Sequence, residues 1–173
     1  SELLGLSSLD LLATSLYIYS TKSRTYVHVV GDGTVAIVFA DGHMEVRRFT
    51  WDNNTPYYPA YDMHLKDQFI LHHGGDVLGE QFVEEQWQCS SEGAWDLMST
   101  LQHTIIHGMR GHVIDLSQFI EQGLISCIAV FTDGVDLVDG FSWQEIIKRS
   151  LAFKQIKGAF VRRRMIKLCK EIS

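Results

Sequence analysis

Two acids sit where an apolar segment meets glycine: Asp32 in "VVGDGTVAI" (29–37) and Asp133 in "AVFTDGVD" (129–136). A carboxylate at a strand end, with glycine permitting close approach, can ligate a divalent cation, because hard cations take oxygen ligands and accept partly hydrated carboxylate sites. Gly31 and Gly33 flank the first acid and Gly134 follows the second. The competing explanation is an ordinary tight turn in which glycine supplies the backbone angles and aspartate caps it. On residue chemistry alone the turn is the commoner case. Asp136 and Asp139 lie nearby, where solvated loop acids are the simpler description.

The histidines suggest less. His103 and His107 are four apart, with His112 close behind, but Thr104 stands where a helical zinc-protease pattern needs glutamate directly after the first histidine. His72 and His73 are adjacent and would face opposite ways in a strand. No histidine metal site is expected. Cys127 lies inside an apolar run and reads as a small buried hydrophobe. There is no Gly-x-Ser-x-Gly elbow, so a serine-hydrolase triad is unsupported.

The elements that would hold the acids are strands. Segments 11–20, 25–31, 34–40 and 43–49 read as a four-stranded antiparallel meander, with Asp41-Gly42 as a hairpin turn. Val35 to Ala40 is apolar throughout, so both faces should be covered. A further strand is expected at 125–131, buried, and a short one at 68–73. Helices are expected from Ser90 or Ser91 to Gly108, over 115–123, and from Ser142, where Glu145 occupies the capping-box position. The tail, 158–172, should pack through Phe160, Met165, Ile166 and Cys169 and leave Arg162 to Arg164 wet. Strands followed by helices, without βαβ alternation, give an α+β fold: a two-layer antiparallel β-sandwich flanked by helices.

The 173 residues suit one domain, and 46% hydrophobic with 21% charged residues is the composition of a globular protein. A formal charge of -6 argues against nucleic acid as a partner. No apolar run reaches membrane-spanning length, and "SELLGLSSLD" lacks a basic region, so neither a membrane span nor a signal peptide is expected. Three scattered cysteines, Cys89, Cys127 and Cys169, read as reduced thiols in a cytoplasmic protein.

In order, "ATSLYIYS", "VHVVGDGTVAIV", "AVFTDGVDLV" and the tail "LAFKQIKGAFVRRRMIKLCKEI" resemble the bacterial branch of the PP2C-type metal-dependent protein phosphatases. The resemblance covers nearly the whole chain. It implies two antiparallel sheets packed face to face with helices outside, and acids at strand ends holding Mn²⁺ or Mg²⁺. It also implies a metal-bridging hydroxide attacking the phosphorus of phosphoserine or phosphothreonine in a phosphoprotein substrate. Carried over, Asp133 would ligate a core metal, Asp32 would help hold a weaker outer one, and Gly134 would allow the close turn. The sequence departs from the family in "GDGT", where Gly-Asp-Ser-Arg is frequent. The family's bridging Asp-Gly and its phosphate-binding arginine should lie upstream of "LLATSLYIYS", and its last acidic pair beyond Ser173. The domain is therefore expected to be incomplete at both termini. Two functions stay open: a phosphatase, or a non-catalytic phosphatase-like module that binds a protein or phosphopeptide. Flanking Asp-Gly and Asp-Asp or Asp-Asn motifs would discriminate them. The sequence leaves the oligomeric state open.

Overall fold

The structure, a computed structural model, describes residues 13–51, 56–62, 67, 71, 81–104, 111–154 and 157–172. They fall in two compact units, one up to Thr132 and one from Asp133.

The first unit is built on strands. β1 (Ser15–Ser20), β2 (Thr25–Val30), β3 (Gly33–Phe39) and β4 (Met44–Trp51) are followed by β5 (Gln81–Cys89), β6 (Trp95–Thr104), β7 (His112–Asp115) and β8 (Ile125–Phe131). Every pairing among them is antiparallel, in a three-stranded sheet ordered β1-β2-β7 and a five-stranded sheet ordered β6-β5-β4-β3-β8. The fold is α+β with two antiparallel sheets.

Residues 15–49 do form four strands, but not one meander. β1 pairs with β2 and β3 pairs with β4, while β2 and β3 belong to different sheets. Gly31-Asp32 is thus a crossing from one sheet to the other. The Asp41-Gly42 turn is a hairpin turn as expected, closed by Phe39 N–H to His43 O at 2.9 Å. Val27, Val29 and Ile114 from the smaller sheet share one buried cluster with Val35, Ile37, Phe39, Phe49 and Phe82 from the larger. Side chains of this kind contribute about 1.5–3 kcal/mol each on full burial. β3 is covered on both faces up to Phe39, while Ala40 is exposed.

Three further expectations fail. The helix expected from Ser90 or Ser91 to Gly108 is, over the described residues 90–104, a turn followed by β6, which pairs with β5 from Cys89↔Trp95 to Gln81↔Thr104. "SSEG" closes the hairpin rather than capping a helix: Ser90 N–H donates to Ala94 O at 2.9 Å, and Ser90 Oγ accepts from Ala94 N–H at 3.1 Å. The side-chain oxygen that would cap a helix caps a turn equally well. Secondly, β8 is an edge strand of the larger sheet and half-buried, where a fully buried strand was expected. Gly-rich flanks and an apolar run do not reveal which strands have a neighbour on both sides. The third failure is in the tail. The expected strand at 68–73 lies largely outside the described residues. The helix over 115–123 is α1 (Ser117–Glu121), tied to β2 by Ser117 Oγ accepting from Thr25 N–H at 3.0 Å.

The second unit holds a one-turn 3₁₀ helix at Asp133–Asp136, α2 (Trp143–Ser150) and α3 (Phe160–Ile172). Ser142 caps α2 as expected, its hydroxyl accepting from Glu145 N–H at 3.2 Å. In α3 the buried positions are Arg164 and Leu168, whereas Met165, Ile166 and Cys169 are exposed and Phe160 is half-buried against Phe153. The helical stripe therefore lies one step from the expected one, and it includes an arginine. Arg162 and Arg163 are exposed, as expected. Among the described residues no helix is long and apolar enough to cross a membrane. All three cysteines are free thiols.

Candidate metal-binding residues

Asp32 sits in the crossing between the two sheets, half-buried, and its Oδ1 accepts a 2.5 Å hydrogen bond from Thr14 Oγ1. The crossing is held on both sides. Trp51 Nε1–H donates to Gly31 O at 2.9 Å. Gly33 has φ +141°, and a Cβ there would lie 2.7 Å from the carbonyl oxygen of Phe131. Gly31, at φ +90°, would bring a Cβ to 3.0 Å from Thr14 Oγ1. Both glycines are required by backbone angle and by space.

β3 and β8 run side by side with Thr34 opposite Phe131, so β3 begins at the end where β8 finishes. Asp133 belongs to the second unit, where it opens the 3₁₀ turn and is exposed; Gly134 follows within the same turn. The side chain of Asp133 has no hydrogen bond or ion pair among the described residues, and Asp32 has one partner, Thr14. Both carboxylates therefore retain oxygens that a hard cation could take.

A second cluster was not foreseen. Glu84 on β5 is 1% exposed. Its Oε1 accepts from Gln86 Nε2 at 3.0 Å and from Arg47 Nη1 at 3.3 Å. Its Oε2 faces two imidazoles, His103 Nε2 at 2.8 Å and His112 Nε2 at 3.5 Å. His103 stacks on Phe82 with ring centroids 4.9 Å apart, and His112 packs against Phe49 at 5.2 Å. The ligand atoms of Glu84, His103 and His112 all lie within 4.8 Å of one another.

No family model, no curated protein and no solved structure matches the chain. The chemistry of the cluster has to be read from its own electrostatics. Burial is the largest influence on Glu84 and pushes its carboxyl up. The hydrogen bonds from Gln86 and His103, with the charges of His112 and Arg47, outweigh it, so the carboxyl stays below its ordinary range. His112 is held below the ordinary imidazole value by burial, which the charge of Glu84 offsets only in part. The cluster is thus an ionised carboxylate beside an imidazole biased toward its neutral form.

Helical spacing hid this arrangement. His103 belongs to a strand, and His107, with which it was paired in the sequence, lies outside the described residues, as do His72 and His73. The signal that could have found it is the alternation of β5, where Glu84 falls on the same strand face as the buried Phe82.

Proposed function

We propose that the protein is a metal-dependent phosphatase of the PP2C kind, hydrolysing phosphoserine or phosphothreonine in proteins. In this reading Asp133 would ligate a core Mn²⁺ or Mg²⁺ and Asp32 would help hold a weaker outer one, on a two-layer sandwich. The observation that carries it is the β3–β8 ladder. Gly-Asp-Gly leads into one strand and Asp-Gly follows the other, and the register pairs Thr34 with Phe131. A divalent cation supplies charge neutralisation at the phosphoryl oxygens and a more acidic water. The chain's own part is orientation. Thr14 fixes one oxygen of Asp32 and leaves the other to a ligand. Trp51 and the close approach at Gly33 keep the main chain around Asp32 in place.

The test is Mn²⁺-dependent hydrolysis of a phosphopeptide, measured on the chain together with any sequence that flanks residues 1–173. Asp133→Asn should abolish turnover and leave the melting temperature unchanged. Asp32→Asn should impair turnover less. Full turnover in Asp133→Asn would sink the reading. Phosphopeptide binding without turnover in the unmutated protein would favour the non-catalytic module instead.

A further inference from the structure

We infer that Glu84, His103 and His112 form a zinc site that joins the two sheets, separate from the acids of the proposed phosphatase chemistry. The inference does not rest on that reading.

The carboxylate is divided in its duties. Oε1 is held by Gln86 and Arg47, the kind of outer partners that orient a metal-ligating carboxylate. Oε2 is left to the two imidazoles, both of which present Nε2 to it. At 3.5 Å the His112 nitrogen is too far for a strong hydrogen bond, yet it converges on the same oxygen.

Zinc with bonds of about 2.0–2.2 Å sets its tetrahedral ligand atoms about 3.3 Å apart. The observed 2.8 and 3.5 Å separations bracket that value. The third pair, His103 with His112, lies within 4.8 Å, so the two part-buried imidazoles would swing toward each other by up to about 1.5 Å to complete the set. A cavity of about 20 Å³ borders His112, though not Glu84 or His103, and has the volume one water needs. A water would complete four-coordinate zinc. The nitrogen-rich set also favours a borderline metal over Mg²⁺.

Glu84 and His103 belong to the five-stranded sheet and His112 to the three-stranded one. A metal held by all three cross-links the layers, and binding energy then becomes folding energy.

The experiment is titration of chelator-treated protein with Zn²⁺ by calorimetry, and with Co²⁺ by visible absorption. One equivalent should bind, with the intense bands of a tetrahedral cobalt centre and a rise in melting temperature. His103→Gln and His112→Gln should each lose that stoichiometric binding. Asp32→Asn and Asp133→Asn should keep it. Should the histidine variants fail to fold, Gln86→Ala keeps all three ligands and should weaken binding about 10–100-fold. Absence of a bound equivalent in the unmutated protein would overturn the inference. So would undiminished binding in both histidine variants, or in Gln86→Ala, since the metal would then sit on other residues.

Discussion

Arg164 reaches from α3 to the end of α2, where its Nε–H donates to the main-chain carbonyl of Arg149. The last carbonyls of a helix have no partner within it, and a guanidinium there satisfies one of them and complements the helix dipole. The other end of the same side chain holds Glu171, with Nη2 3.0 Å from Oε2 and Nη1 3.4 Å from Oε1. Arg149 O keeps a 3.3 Å hydrogen bond from Ala152 N–H, so Arg164→Ala should destabilise the second unit through the lost charge-assisted hydrogen bonds, by about 1–3 kcal/mol. Arg162→Ala and Arg163→Ala should stay within about 0.5 kcal/mol. Urea melts of the three variants make the comparison, and equal losses at all three would refute it.

The same contact sets an acid limb. The hydrogen bond from Arg164, and after it that from Lys167, holds the Glu171 carboxyl below its ordinary range. A carboxyl lowered by folding stabilises at pH values above its unfolded pKa, and that contribution is lost as pH falls through the folded value. Melting temperature should fall between about pH 5 and pH 3 by less in Glu171→Gln than in the unmutated protein. Above about pH 6 the two curves should run parallel, because the carboxyl is then ionised in both states. Identical acid limbs would show that the pair contributes nothing.

Two glycines beside the candidate acids should respond oppositely to a methyl group. Gly33→Ala meets both an unfavourable φ and the carbonyl of Phe131. It should cost about 1–3 kcal/mol for the strained backbone, and more for the displaced β8. Gly134 lies exposed in a 3₁₀ turn. Its alanine variant should change stability by less than about 0.5 kcal/mol. Thermal melts of both proteins test the pair, and a large loss at Gly134 would mean that its turn needs glycine.

What the sequence made legible was local. Ser142 with Glu145, and Asp41 with Gly42, each specify a cap or a turn through neighbouring atoms, and the structure has both. β2 to β4 were readable from apolar residues at strand period. Sheet membership was not, since a strand's pattern is the same whichever sheet it joins; Gly31-Asp32 looked like a hairpin and is a crossing. β6 carries Trp95, Met98 and Leu101 at spacings a helix also uses, and only its pairing with β5 decides the matter. The Glu84, His103 and His112 cluster was hidden for the same reason. Glu84 and His103 meet through the β5–β6 register and His112 through the other sheet, neither of which any short window of sequence contains.

The partnership of β3 with β8 has a consequence for synthesis. Ile37 pairs with Ile128, so roughly ninety residues must be added after β3 before its second neighbour exists, a wait of about 5–18 s at ordinary translation speeds. Over that interval β3 can pair with β4, but its other edge, apolar on both faces, stays open on the ribosome. A nascent chain in that state presents an unpaired strand edge that can pair with its neighbours on the same polysome.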